Sequence, residues 1–126
     1  MVYYLKGVME DLPEVITSRS TIPAANNIFQ VRPEDERAIL DEEWATELHH
    51  MVSQMLFVTS RARKCINMDI AFLCTKVRIP YKDEWGKLVR VIRCIIGTLH
   101  LPLILRADSP SFIKWWVDAS FAAYPD

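Results

Sequence analysis

Apolar residues recur at three- and four-residue steps through the middle of the chain, the spacing of amphipathic helices. The longest stripe occupies five positions, Trp44, Leu48, Met51, Met55 and Val58. A second stripe runs over residues 66–77 and a third over residues 85–96. Pro80 separates these two, and Gly97 follows the third, where a helix C-terminal cap is expected. The pattern therefore predicts three packed helices within residues 44–98.

The first 43 residues show a more local pattern. Apolar spacing over residues 1–12 predicts a short helix that Pro13 ends. Residues 13–33 are rich in Pro, Ser, Thr and Asn, and we expect a connector held to the core by its Ile-Phe pair, residues 28 and 29. The acidic run 33–43 predicts a helical lead-in to the long helix.

The apolar period changes to two after Gly97, which predicts strands. Residues 101–106 and 111–119 alternate, and Asp108-Ser109-Pro110 predicts the turn between them. The expected fold class is thus mainly α with a small β part (α+β). A bundle of three or four helices is followed by a C-terminal β-hairpin over residues 99–126, an incomplete domain. Because this hairpin is apolar on both faces and has no further strands to pair with, we expect either self-association through residues 111–121 or disorder of that segment while the helices hold.

Composition is that of a globular domain, with 51% hydrophobic and 25% charged residues. No stretch has the features of a signal peptide or the length of a membrane span, so we expect an intracellular protein that contacts no membrane. The spacing of the three cysteines, Cys65, Cys74 and Cys94, is not that of a metal site or a disulfide framework. We therefore expect them to be reduced thiols. No cofactor is expected for this chain.

The net charge of −1 conceals a strong asymmetry. Residues 44–106 carry ten basic and four acidic side chains, whereas residues 1–43 carry four and nine. A basic centre is typical of a protein that binds a polyanion, and also of solvated helix faces and helix C-termini. Six cations of this centre are the candidate nucleic-acid contacts: Arg61, Arg63, Lys64, Lys87, Arg90 and Arg93. We expect such binding to be weak and independent of base sequence.

One acid near the C-terminus has a setting that catalysis uses. The apolar run over residues 115–120 presents Asp118, and a rigid strand ending on an Asp is how two-metal nucleases offer their first metal ligand. Two-metal chemistry needs several converging acids, however. A solvated Asp at a strand end is the plainer interpretation of this segment alone.

A series of short blocks resembles copia-type retrotransposon polyproteins. The blocks follow one another, with matching gaps, through nearly the whole chain: Tyr4-Leu5-Lys6-Gly7, residues 48–57, Ala71-Phe72-Leu73-Cys74-Thr75-Lys76-Val77, Asp83-Glu84-Trp85-Gly86-Lys87-Leu88 and Trp115-Trp116-Val117-Asp118-Ala119-Ser120. Their order carries the resemblance, since no single block is diagnostic. The chain departs from the family at Lys64-Cys65, where Pro-Asp is usual, and at Tyr81-Lys82, where helix-capping residues are common.

In that family this stretch ends the reverse transcriptase, roughly its thumb and connection, and leads into the first strand of ribonuclease H. The resemblance implies that Asp118 is the first magnesium-binding Asp of ribonuclease H, with the other acids beyond Asp126. It also implies that the polymerase aspartates lie before Met1. Neither active site would then be complete, so the chain is expected not to be an enzyme as it stands. In the intact parent, the six cations would support primer–template binding.

Two other functions are compatible with the sequence. The chain is alternatively a transposon-derived, stand-alone interaction module that binds a protein partner or itself through the hairpin. An autonomous hydrolase using Asp118 is the least favoured, because a lone carboxylate cannot clamp two metal ions.

Overall fold

A computed structural model describes residues 1–25, 28–104 and 111 of the chain. These residues contain four α-helices: α1 (Val2–Glu10), α2 (Glu42–Arg61), α3 (Asn67–Lys76) and α4 (Lys82–Gly97). Short 3₁₀ turns at Glu34–Glu36 and Lys64–Ile66 precede α2 and α3. The helices lie where the apolar periodicity predicts them, but the acidic lead-in over residues 33–43 is helical only at the first of these 3₁₀ turns and at Glu42–Glu43, the start of α2.

Helix α2 buries the apolar face that its sequence periodicity predicts. Its apolar stripe is buried, and Leu48, Met51 and Val58 have no exposed surface at all. Glu42 and Glu43 occupy its first turn, where carboxylates complement the helix dipole. The opposite face carries exposed polar side chains, so burial of one stripe orients the whole helix.

Helices α2 and α4 begin side by side. Ile39 and Tyr81, which precede the two helices, form an isolated antiparallel β-bridge. Its hydrogen bonds run from Leu40 N to Pro80 O at 3.0 Å and from Lys82 N to Ala38 O at 2.9 Å. One turn further on, the rings of Trp44 and Trp85 meet edge to face with centroids 4.8 Å apart. Helix α3 packs against both α2 and α4. Because Arg63, just after α2, also hydrogen-bonds Thr98, just after α4, the two helices lie together at both ends and run in the same direction.

The N-terminal region completes the core. Leu5 and Val8 of α1, and Ile28 and Leu40 of the segments that follow, are buried together with the apolar stripes of α2, α3 and α4. Phe29 packs edge to face on Phe72, with ring centroids 5.6 Å apart. The expected attachment of the connector at residues 28 and 29 is therefore present.

The expected α+β class with a C-terminal β-hairpin is wrong. The described residues are helical and contain no strand beyond the single bridge at Ile39 and Tyr81. Alternation of apolar residues specifies a strand only when a partner supplies the hydrogen bonds. Residues 101–104, in the first predicted strand, form no β-bridge with another described residue, and Ile104 is 77% exposed. The rest of the proposed hairpin, residues 105–110 and 112–126, lies outside the described residues.

Candidate nucleic-acid interface

The six candidate cations lie at two places along the chain. Arg61, Arg63 and Lys64 surround the C-terminal end of α2, whereas Lys87, Arg90 and Arg93 lie on α4. They also differ in burial: Arg61, Lys64 and Arg93 are exposed, Lys87 and Arg90 are half-buried, and Arg63 is buried. The contacts of each side chain show which cations are available to a ligand.

Arg63 is an interior residue and is not part of an exposed interface. Its side chain is only 3% exposed. Nη1 donates to the Thr98 carbonyl oxygen at 2.7 Å, and Nη2 donates to the Thr98 hydroxyl. The carbonyls that end a helix lack intrahelical partners, and Thr98 follows the last residue of α4. Arg63 therefore caps α4 and joins the end of α2 to it.

Arg61 belongs to an exposed cluster of aromatic and basic side chains. Its Cζ lies 4.0 Å from the ring centroid of Phe57, four residues earlier on the same helix face. The Phe57 ring in turn contacts Tyr4 of α1, with centroids 5.2 Å apart. Tyr4 is 39% exposed and Phe57 41%. Exposed Lys64 follows at the same end of α2, and its Nζ donates to the Ser60 carbonyl at 3.2 Å. We call Tyr4, Phe57, Arg61 and Lys64 the aromatic–basic patch.

Lys87 is held within the protein. Its Nζ donates to the Gln30 carbonyl at 2.9 Å, lies 3.9 Å from a carboxylate oxygen of Glu84 and sits 4.6 Å from the Phe72 ring centroid. Burial lowers the pKa of Lys87, and the charges of Glu84 and Asp83 oppose that shift. Lys87 therefore fastens the connector to α4 as well as contributing positive charge.

Arg90 lies one turn after Lys87 and shares a cavity with it. The cavity, of about 300 Å³, also borders Arg32, Asp83 and Gln30. Arg32 Nε pairs with Asp83 Oδ2 at 3.0 Å. The third of the candidate cations on α4, Arg93, is exposed, while its backbone carbonyl accepts the Ser20 N–H at 3.2 Å. Lys87 and Arg90 thus lie against the connector, whereas the Arg93 side chain is exposed to solvent.

The other candidate residues are Asp118 and the three cysteines. Asp118 lies outside the described residues, so the structure gives no geometry for a metal ion there. The described residues contain no group of three or more His, Cys, Asp or Glu side chains that could hold a metal. All three cysteines are free, and burial raises the pKa of the Cys74 and Cys94 thiols.

Sequence reasoning missed several residues of these surfaces. The Phe57–Arg61 pair has the four-residue spacing of helix neighbours, which is a readable signal. Tyr4 and Arg32 carry no such signal, because each reaches its partner from another segment of the chain.

The chain matches no protein-family model, no curated protein and no solved structure. Across the described residues, no helix has both the length and the apolar character needed to cross a membrane.

Proposed function

We propose that this chain is a non-catalytic part of a copia-type retrotransposon polyprotein, at the junction of reverse transcriptase and ribonuclease H, and that it supports a primer–template in the intact parent. The ordered series of sequence blocks supports this origin. The aromatic–basic patch is the observation that carries the nucleic-acid part of the proposal.

The chemistry of the patch suits a nucleic-acid strand. Arg61 and Lys64 offer two exposed positive charges, and each phosphate they neutralise releases condensed counterions. Tyr4 and Phe57 expose ring surface, on which unpaired bases of any identity can stack. Neither contact reads a base edge, so binding is weak, independent of sequence and steeply dependent on salt.

The interior contacts explain why the patch keeps its shape. Arg63 lies between Arg61 and Lys64 in sequence and is bonded to Thr98 of the neighbouring helix terminus. Packing of Tyr4 on Phe57 holds α1 against α2. The patch therefore rests on α1, α2 and the 3₁₀ turn at Lys64–Ile66.

The test compares two double variants of equal charge. Arg61→Gln with Lys64→Gln removes both cations of the patch. Arg78→Gln with Lys82→Gln is the matched control, because both residues are exposed and lie at the opposite end of the bundle, where α3 ends and α4 begins. Binding of a labelled duplex with a single-stranded overhang is followed by fluorescence anisotropy between about 50 and about 200 mM salt, where log affinity for phosphates falls linearly with log salt concentration.

We expect the patch variant to lower the slope of log affinity against log salt by about 0.9 for each phosphate that it no longer neutralises, whereas the control keeps the wild-type slope. Phe57→Leu should weaken the single-stranded overhang more than blunt duplex, because it removes a stacking surface and keeps the charge. Equal affinities in both double variants would refute the proposed interface. If the chain bound a protein partner and had no affinity for the duplex or for the single-stranded overhang, the interaction-module alternative would be favoured.

A further inference from the structure

The cavity between α4 and the connector has the size of a small ligand site. Its volume of about 300 Å³ falls at the lower end of the range for ligand pockets. The polar groups that border it come from two separate segments, Gln30 and Arg32 from the connector and Asp83, Lys87 and Arg90 from α4. Convergence of charged groups from separate segments is typical of a binding site.

The charges around the cavity are unbalanced. Arg32 is paired with Asp83 at 3.0 Å, and Lys87 lies 3.9 Å from Glu84. Arg90 adds a third cation, so the lining of the cavity carries three positive groups and one carboxylate, that of Asp83. The Arg90 Nε is buried and has no hydrogen-bond partner among the described residues. A buried donor without a partner carries a desolvation cost that an anion in the cavity would remove.

The geometry of Lys87 adds to this imbalance. Its ammonium is shielded from water, since the side chain is only 15% exposed, and burial lowers its pKa. An anion nearby would favour the charged ammonium. Gly86 leaves the cavity open, because a Cβ built there would meet no atom within 4 Å.

We infer that this cavity binds a phosphoryl anion through Arg90, assisted by Arg32 and Lys87. A phosphoryl group presents several acceptor oxygens, which suits converging guanidinium and ammonium donors. The group belongs either to a free phosphate ester or to the backbone of a nucleic acid. The cavity shares no residue with the aromatic–basic patch, so its binding of phosphate is measured separately from the nucleic-acid binding of the patch.

The experiment measures binding of inorganic phosphate and of a nucleoside monophosphate to the full chain by isothermal titration calorimetry. A short oligonucleotide without a terminal phosphate forms the second arm. Arg90→Gln should weaken binding by about tenfold or more, the value of one charge-assisted hydrogen bond. Arg93→Gln is the matched control, since Arg93 is an exposed cation on the same helix and does not border the cavity. Its binding should stay within about twofold of wild type.

Two further variants test the same site, one by removing a negative charge and the other by filling the cavity. Asp83→Asn removes a negative charge and releases Arg32, so affinity should rise several-fold. Gly86→Gln fills the cavity without altering any charge and should abolish binding even if Arg90→Gln does not fold. Binding of phosphate and monophosphate assigns the site to a free ester, whereas Arg90-dependent binding of the oligonucleotide alone assigns it to a nucleic-acid backbone.

Several results would overturn the inference. Equal weakening in Arg90→Gln and Arg93→Gln would show only a general effect of charge. No binding by wild type in either arm, or unchanged binding in Gly86→Gln, would show that the cavity holds no anion. Arg61→Gln with Lys64→Gln should leave phosphate binding intact, which separates a failure of this site from a failure of the patch.

Discussion

The Arg63 guanidinium donates to the carbonyl oxygen of Thr98 at 2.7 Å across a separation of 35 residues. This hydrogen bond joins the end of α2 to the end of α4. The β-bridge and the Trp44–Trp85 pair hold the opposite ends of the same two helices together. The parallel arrangement of α2 and α4 is therefore fastened at both ends by polar or aromatic contacts, with apolar packing between them.

Arg63→Ala should destabilise the protein by about 2–4 kcal/mol, because it removes two charge-assisted hydrogen bonds to Thr98. The Thr98 carbonyl keeps the Leu101 N–H, at 2.9 Å, but loses its charged donor. Lys64→Ala is the neighbouring control and should change the free energy of unfolding by less than about 0.5 kcal/mol, as expected for an exposed residue. Urea denaturation followed by circular dichroism gives both values. Similar destabilisation in the two variants would argue against a capping role for Arg63.

Glu84→Ala should cost about 1–3 kcal/mol, because the carboxylate is 2% exposed and accepts the Tyr81 backbone N–H at 2.9 Å. This bond replaces part of the helix cap that Tyr81 and Lys82 would otherwise leave missing. Asp83→Ala removes the adjacent acid, whose pair with Arg32 is partly exposed, and should cost no more than about 1 kcal/mol. Thermal unfolding of the two variants should rank Glu84→Ala as the less stable. The reverse order would mean that Glu84 does not cap α4.

Asp69→Asn should stabilise the protein near neutral pH. Burial raises the pKa of Asp69 above 3.8, and the hydrogen bond with its own backbone only partly opposes that shift. The folded state then binds more protons than the unfolded state above pH 3.8, so the Asp69 contribution to stability falls as pH rises through the raised pKa.

The stabilisation by Asp69→Asn should accordingly disappear below pH 3.8, where the carboxyl is protonated in both states. Denaturation curves at about pH 3.5 and about pH 7 measure the difference. A gain of the same size at both pH values would trace the effect to hydrogen bonding or packing and not to ionisation.

The purified 126-residue chain should show neither polymerase nor ribonuclease H activity. Its sequence contains no pair of adjacent aspartates, and Asp118 is the one acid that the family resemblance assigns to a nuclease site. A two-metal mechanism requires several converging ligands. Incubation with an RNA–DNA hybrid and magnesium is the measurement, with Asp118→Asn as the control. Magnesium-dependent cleavage that this substitution abolishes would contradict the non-catalytic assignment.

Helix positions followed from the sequence because local periodicity is enough to define them. A stripe such as Leu48, Met51, Met55 and Val58 can be buried in only one way, and the structure buries it. The same local reasoning failed for residues 101–104, where alternation predicted a strand. A helix forms its hydrogen bonds within one segment, whereas a strand needs another segment that the pattern does not identify.

The tertiary structure decided which charged residues face solvent and which hold the fold together. Arg61, Arg63 and Lys64 read as one basic run, yet Arg61 stacks on an exposed ring and Arg63 is buried against Thr98. Likewise, nothing in the sequence places Arg32 beside Asp83 or opens a cavity next to Arg90. The sequence shows which residues are charged. Whether a charged residue is exposed or holds the fold together depends on which distant groups it contacts, and the packing of the helices determines those contacts.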